Sequence, residues 1–158
     1  MQSYNLTTAI LFKVDFYCLL LISLSMASLC STHSTSKPIV DLTASELSCM
    51  IRSRTISCVQ VMESYLIQIE KLNNKVNAII ERQPSEDLFA IAIKYDEMLD
   101  RGEWKGFLHG FPLAVKNLAL TKGIESSFGS PILKGFIPDE DSIVIERMRR
   151  AGAIIIGT

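Results

Sequence analysis

The sequence predicts an α/β domain in which helices come first and a mixed sheet follows. In residues 41–102 the apolar positions recur at intervals of three and four, the period of amphipathic helices. Two apolar runs come later, at residues 111–116 and 153–157, and both have the length and composition of buried strands. A helical pattern at residues 141–150 separates them, and the order strand, helix, strand is typical of an α/β sheet.

The composition is that of a globular chain. The 158 residues are enough for one domain of ordinary size with a core of its own. A hydrophobic share of 48%, with 21% charged residues, excludes a disordered chain. Lys and Arg number 16 and Asp and Glu number 17, so no excess of charge predicts binding to nucleic acid or to an anionic membrane surface.

Residues 1–38 are predicted to form a targeting segment and a polar linker, with the domain proper at residues 39–158. Residues 16–30 are apolar and uncharged, Lys13 precedes them, and Ser25-Met26-Ala27 offers the small residues that signal peptidase prefers. A membrane-spanning helix needs about twenty residues, so this run is short for one. A signal peptide, an uncleaved anchor and an incidental tail all fit. The first two predict a secretory or membrane-associated protein that meets the membrane only through this segment, and the third a cytoplasmic one.

Local signals predict the boundaries of three helices. Thr43 with Glu46, and Ser57 with Gln60, fit capping boxes at the start of the first two. The second is expected to end at residues 73–74, and residues 76–80 to form a short strand. The third begins at residues 84–87, where acids occupy the first turn, and Gly102 ends it. Its predicted buried face is Leu88, Ile91, Tyr95, Met98 and Leu99.

The second half of the chain predicts a sheet that is incomplete at its C-terminal side. Asp141 is the expected N-cap of a helix that ends at Arg150, with Val144 and Met148 turned inward. The sequence ends one residue after the last predicted strand. The sheet is therefore expected to lack later neighbours, and its open edge could support self-association.

The cysteines leave two alternatives open. Cys18 and Cys30 lie in the apolar segment, which leaves Cys49 and Cys58 in the domain. These two are either buried thiols or, in an exported protein, a disulfide. No Cys-x-x-Cys pair and no histidine at ligand spacing is present, so we predict no metal site.

Lys116 is the residue of chemical interest, because it closes the first apolar run. A lysine at this position is usually solvated at the edge of the sheet. If it were held in the interior instead, it would lose affinity for its proton and could act as a base or nucleophile near neutral pH. The residues alone leave both alternatives open.

Three motifs follow one another in the second half of the chain. They are Leu108-His109-Gly110-Phe111-Pro112 leading to Val115-Lys116, then Ser126-Ser127-Phe128-Gly129-Ser130, and finally residues 141–157, in which Arg149-Arg150-Ala151-Gly152-Ala153 leads to the last strand. In this order they make the chain, from residue 41 onward, resemble the N-terminal part of the amidase signature family, which includes bacterial and eukaryotic amidases and the amidase subunit of glutamyl-tRNA amidotransferase.

The resemblance implies a serine hydrolase acting on carbon–nitrogen bonds of small carboxamides, without a cofactor. Its mechanism uses a serine, a second serine on a cis peptide bond, and a lysine, here Lys116. In the family both serines follow the lysine by several tens of residues, beyond Thr158. Ser126, Ser127 and Ser130 are therefore expected to stabilise a turn.

Two further residues lie in or beside the first motif. His109 is expected to have no direct chemical role, and the sequence leaves the effect of Asn117 open. His109 is interpreted as part of the turn before the strand. Asn117 stands where the family usually has an acid, which could ease the neutral state of Lys116 or remove an orienting contact.

Two function hypotheses follow. In the first, the chain is a fragment of a serine-type amidase and is inactive alone. In the second, it is a truncated, non-catalytic amidase-like protein that acts, if at all, by binding a partner.

Overall fold

The computed structural model describes residues 37–158. The predicted signal peptide or anchor at residues 16–30 lies outside the described residues, so the division near residue 38 stays a prediction. Within residues 37–158, no helix combines the length and the apolar character needed to cross a bilayer.

The described part contains four α-helices and two strands in the predicted order. They are α1 (Ala44–Arg52), α2 (Cys58–Val76), α3 (Ser85–Asp100), β1 (Pro112–Ala114), α4 (Ile143–Arg150) and β2 (Ile154–Gly157). Two single 3-10 turns, Ile39–Asp41 and Pro131–Leu133, complete the regular structure of residues 37–158. The α/β fold predicted from the sequence is confirmed.

The sheet is a parallel pair. Pro112 lies opposite Ile154, and a shift in register then sets Ala114 opposite Gly157. In the described residues, antiparallel pairing is limited to an isolated bridge between Arg82 and Gly157, so the sheet is mixed only through that contact.

The strand predicted at residues 76–80 is wrong. Val76 still belongs to α2, and Asn77 ends the helix in the left-handed conformation. The side chain of Asn73 then takes up the backbone groups that a strand would pair: its amide oxygen accepts from Ala78 N and Ile79 N, and its nitrogen donates to Ile79 O. The chain reaches the sheet only at the end of this stretch, where Ile80 N donates to the backbone oxygen of Thr158 at 2.7 Å.

Both predicted capping boxes are present, and α2 has an additional cap. The Ser57 hydroxyl accepts from Gln60 N at 3.0 Å. The Asp96 carboxylate, on α3, accepts from Cys58 N at 2.7 Å and from Val59 N at 3.1 Å. A negative charge is thus held at the positive end of the α2 dipole, and α3 is tied to the start of α2.

The start of α4 differs from the prediction by one residue. Ser142 is the N-cap position and makes no side-chain capping bond. Asp141 instead accepts from Lys122 N at 2.7 Å and pairs with Arg149 Nε at 2.9 Å. The helix consequently buries Ile145, which is 1% exposed, and leaves Val144 on the surface, 45% exposed.

The core consists of two clusters on opposite faces of β2. Ile154 and Ile156 pack with the residues of α1, α2 and α3, whereas Ala153 and Ile155 pack with Ile124 and Ile145. Successive side chains of a strand point to opposite faces, so one run of isoleucines serves both clusters. The predicted strand with both faces covered is confirmed here.

Cys58 is a buried free thiol. Burial, and then the nearby Asp96 carboxylate, raises the pKa of the Cys58 thiol well above its usual range. Because Cys58 is a free thiol, the alternative of a disulfide between Cys49 and Cys58 is wrong.

Candidate functional site

Lys116 lies just beyond the C-terminal end of β1, and Thr158 just beyond that of β2. Parallel strands end at the same edge of a sheet, and Val115 N donates to Gly157 O at 3.0 Å across this edge. In open α/β sheets, ligands bind outside the carboxyl ends of the strands. Within residues 37–158 Lys116 is exposed, which corresponds to the alternative of a lysine solvated at the edge of the sheet.

Asn117 connects this edge to the serine-rich turn. Its Nδ2 donates to Thr158 Oγ1 at 3.0 Å and to Glu125 O at 3.2 Å. Its Oδ1 accepts from Phe128 N at 2.8 Å and from the Ser127 hydroxyl at 3.4 Å. An amide has two N–H donors and two acceptor sites, so its whole hydrogen-bonding capacity is used.

The orientation of the Asn117 amide is determined by its backbone partners. Glu125 O can only accept and Phe128 N can only donate, so the nitrogen must face Glu125 and the oxygen must face Phe128. The sequence did not show this arrangement. The only signal was that the residue beside Lys116 is an amide.

The serines of the second motif stabilise the turn. Ser126 is fully buried, its hydroxyl donates to Ile124 O at 3.3 Å, and its N–H donates to Phe136 O at 2.8 Å. Ser127 bonds to Asn117, as described above, and its backbone oxygen accepts from Ser130 N. These hydroxyls are engaged with the loop, as expected from the sequence.

His109 is fully buried and its two ring nitrogens contact backbone groups. Nδ1 accepts from Lys105 N at 3.2 Å, so the proton is on Nε2, which lies 3.1 Å from Tyr95 O. The ring also stacks on Trp104 at 4.8 Å between centroids. Burial lowers the pKa of the imidazole below its usual value. His109 is thus a neutral structural residue, which agrees with its interpretation as part of a turn.

Two glycines of the family motifs allow the chain to approach His109 and α2 closely. A Cβ on Gly152, whose φ is +101°, would lie 2.6 Å from His109 Cα. A Cβ on Gly110, whose φ is +79°, would meet the Cys58 sulfur. Larger residues would therefore push the loop before β1 away from the helices.

The described residues offer no metal site, since residues 37–158 contain no group of three His, Cys, Asp or Glu side chains arranged to hold an ion. A groove of about 500 Å³ lies along α3 and the start of β2, and its walls include Lys94, Lys105 and Arg149. Lys116 and Asn117 are not among its lining residues, so the groove is separate from the lysine edge.

Comparison with known proteins identifies the family. The profile of the amidase family matches residues 60–158 of this chain. The chain belongs to the amidase family. A glutamyl-tRNA(Gln) amidotransferase subunit of Streptomyces coelicolor is 40% identical to it over 119 residues, which are 75% of this chain and 24% of that protein. A putative amidase of Mycobacterium bovis is 36% identical over 116 residues, 73% of this chain and 24% of the relative.

Solved amidase structures have the same fold. The peptide amidase of Stenotrophomonas maltophilia matches with a TM-score of 0.70 and 29% identity, over 77% of this chain and 25% of that one. Fatty acid amide hydrolase matches with a TM-score of 0.70 at 22% identity, which supports the fold alone. The present chain spans about a quarter of the length of the relatives it matches.

Proposed function

We propose that this amidase-family chain is part of an enzyme that hydrolyses carbon–nitrogen bonds of carboxamides, with Lys116 as its proton acceptor. The position of Lys116 carries the proposal. The lysine follows the family's first motif and stands at the carboxyl edge of the parallel pair, where α/β proteins bind ligands. The names of its relatives, which include amidases and part of an amidotransferase, support an amide substrate.

The chemistry follows the mechanism that the family resemblance implies. A neutral lysine accepts, through a bridging serine, the proton of a nucleophilic serine hydroxyl. The serine oxygen then attacks the amide carbonyl, the carbon–nitrogen bond breaks, and the leaving nitrogen takes up the proton held by the lysine. Water then attacks the acylated serine and releases the acid, which restores the hydroxyl. Because Lys116 is exposed within residues 37–158, the proposal requires further chain to cover this edge and to supply both serines.

Substitution of Lys116 in the protein produced from its native transcript tests the proposal. Lys116→Ala and Lys116→Met should lower the turnover of simple carboxamides by at least about 10² to 10⁴-fold, since each removes a general base. Lys134→Met is the matched control, because Lys134 is also exposed but lies in the loop beyond the serine-rich turn. Retention of more than about a tenth of the wild-type rate by Lys116→Met would reject the catalytic role.

A second candidate, a non-catalytic protein that binds a partner, is supported by exposed apolar side chains in the loop between β1 and α4. Ile132 is 92% exposed and Ile137 is 59% exposed, and Leu118 and Phe136 are also on the surface. Apolar side chains grouped on a surface commonly mark an interface. A protein produced from the native transcript that associates but hydrolyses no carboxamide would favour this candidate.

A further inference from the structure

We infer that Asn117 is a positioning residue that holds Lys116 in place for amide hydrolysis, an inference that rests on the function proposed above. The amide of Asn117 joins three segments: the end of β1, the residue after β2, and the turn at residues 125–128. Among the hydrogen bonds of residues 37–158, no other side chain links the end of β1 both to the residue after β2 and to this turn.

The backbone around Lys116 is held on both sides. Before it, Val115 N donates to Gly157 O at 3.0 Å. After it, Asn117 is fixed by the four contacts of its side chain, and Ala119 N donates to the Lys116 carbonyl at 3.0 Å. Removing the amide would remove the side-chain contacts that follow Lys116 and leave only the local bond from Ala119 N on that side. The Cα of Lys116 would then be less restrained relative to β2.

The conformation of Phe128 is a second sign that the Asn117 amide acts as a clamp. Phe128 has a φ of +53°, in the left-handed region that is unfavourable for residues with a side chain. Such a conformation persists only where surrounding contacts enforce it. The N–H of Phe128 donates to Asn117 Oδ1 at 2.8 Å, so the amide supplies one of these contacts.

An aspartate has the same shape, and the family usually has an acid at this position, but in this chain it could not make all the contacts of Asn117. The oxygen that takes the place of Nδ2 would face the Glu125 carbonyl oxygen, and two acceptors repel each other at this distance. Asn117→Asp should therefore alter the geometry of the edge.

The experiment compares Asn117→Ala and Asn117→Asp with Asn73→Ala in the protein produced from the native transcript. Asn73 is a matched control, because its amide also bridges three backbone groups, at the end of α2. Asn117→Ala should lower kcat by about 10²-fold, the typical effect of a small displacement of a catalytic group, with little change in KM. Asn73→Ala should lower the melting temperature but leave kcat unchanged.

The kinetic constants give a readout that a purely structural role would not move. That readout is the split between kcat and KM: in Asn117→Asp, which loses the contact with Glu125 O, kcat should fall while KM changes little. The inference is overturned if Asn117→Ala keeps the wild-type kcat, or if Asn73→Ala loses as much. If Asn117→Ala does not fold, a wild-type kcat in Asn117→Asp overturns it.

Lys116→Ala separates this inference from the proposed function. If that variant remains active, the role of Lys116 fails, and the role of Asn117 in catalysis fails with it. If Lys116→Ala is inactive while Asn117→Ala is unimpaired, the proposed function stands and only the positioning role is rejected.

Discussion

His109 precedes Lys116 in the same motif, but its ring takes no part in the lysine edge, because its nitrogens contact Lys105 N and Tyr95 O. Only the neutral ring fits this site, since Nδ1 must accept a hydrogen bond. An imidazolium would present an N–H to another N–H in a buried environment. Burial and two backbone partners thus make His109 a structural residue, whereas Lys116, in the same motif, is exposed.

The lowered pKa of His109 predicts that the protein loses stability in mild acid. The unfolded chain binds a proton near pH 6.5 and the folded chain only at lower pH, so the contribution is complete above about pH 6.5 and is lost as the pH falls below it. Urea unfolding between about pH 7.5 and pH 5 measures this. His109→Gln, which cannot titrate, should show a smaller loss over the same range, and equal losses in both proteins would contradict the prediction.

At the scale of elements, the start of α2 shows how side chains from two helices complete one helix terminus. Ser57 caps Gln60 N locally, and Asp96 reaches from α3 to Cys58 N and Val59 N. Both the terminus and the carboxylate are partly buried, so water would not readily replace these hydrogen bonds if the carboxylate were removed.

Asp96→Ala is expected to lower the free energy of unfolding by about 2–3 kcal/mol, because two N–H groups lose a charged acceptor. Ser57→Ala, which removes one neutral cap, should cost about 1 kcal/mol. Asp139→Ala is a suitable surface control, since Asp139 is exposed. Chemical denaturation of the three variants measures the differences. An Asp96→Ala protein as stable as the Asp139→Ala control would show that the long-range cap is unimportant.

The capping boxes and the apolar runs could be predicted because each depends on residues within one turn or one strand. Asp96 could not, because its contact with Cys58 joins residues that are far apart in the chain. The false strand at residues 76–80 arose for a similar reason: its apolar composition is real, but the side chain of Asn73 satisfies its backbone. At the candidate site, the family motif predicted Lys116 as the residue of interest, whereas the contacts of Asn117 depend on a turn that approaches only in the folded chain.

At the scale of the whole molecule, the apolar segment at residues 16–30 predicts the destination of the protein. A reporter fused after Pro38 should be secreted or should associate with membranes, because the uncharged run can enter the translocation machinery. Aspartate substitutions at residues 19–22 should abolish this by placing charge in the run. Fractionation of cells that express both fusions is the measurement. A wild-type fusion that stays soluble in the cytosol would reject the targeting function.

The 158-residue chain, expressed alone, should hydrolyse neither amides nor esters and should self-associate. The buried Ser126 hydroxyl and the Ser127 hydroxyl are already engaged in the turn, so neither is free to serve as a partner of Lys116. Exposed aliphatic side chains such as Ile132 each forgo about 1.5–3 kcal/mol of burial, in a domain whose total stability is only about 5–15 kcal/mol.

A serine-reactive fluorophosphonate probe, a panel of carboxamides and esters, and sedimentation analysis test these expectations. Ile132→Lys should reduce self-association relative to the wild type. Labelling of Ser126, Ser127 or Ser130, together with turnover that Lys116→Ala removes, would show instead that a shortened catalytic arrangement exists.

The stacking of Trp104 on His109 has a practical consequence, because Trp104 is the single tryptophan of the chain. Its indole emission therefore comes from one known place, beside the imidazole and within 5.8 Å of the Arg52 guanidinium carbon. When the loop before β1 separates from α3, the indole should become hydrated and its emission should shift to longer wavelength. Intrinsic fluorescence can thus follow the opening of this loop in every variant that keeps Trp104, without any added dye.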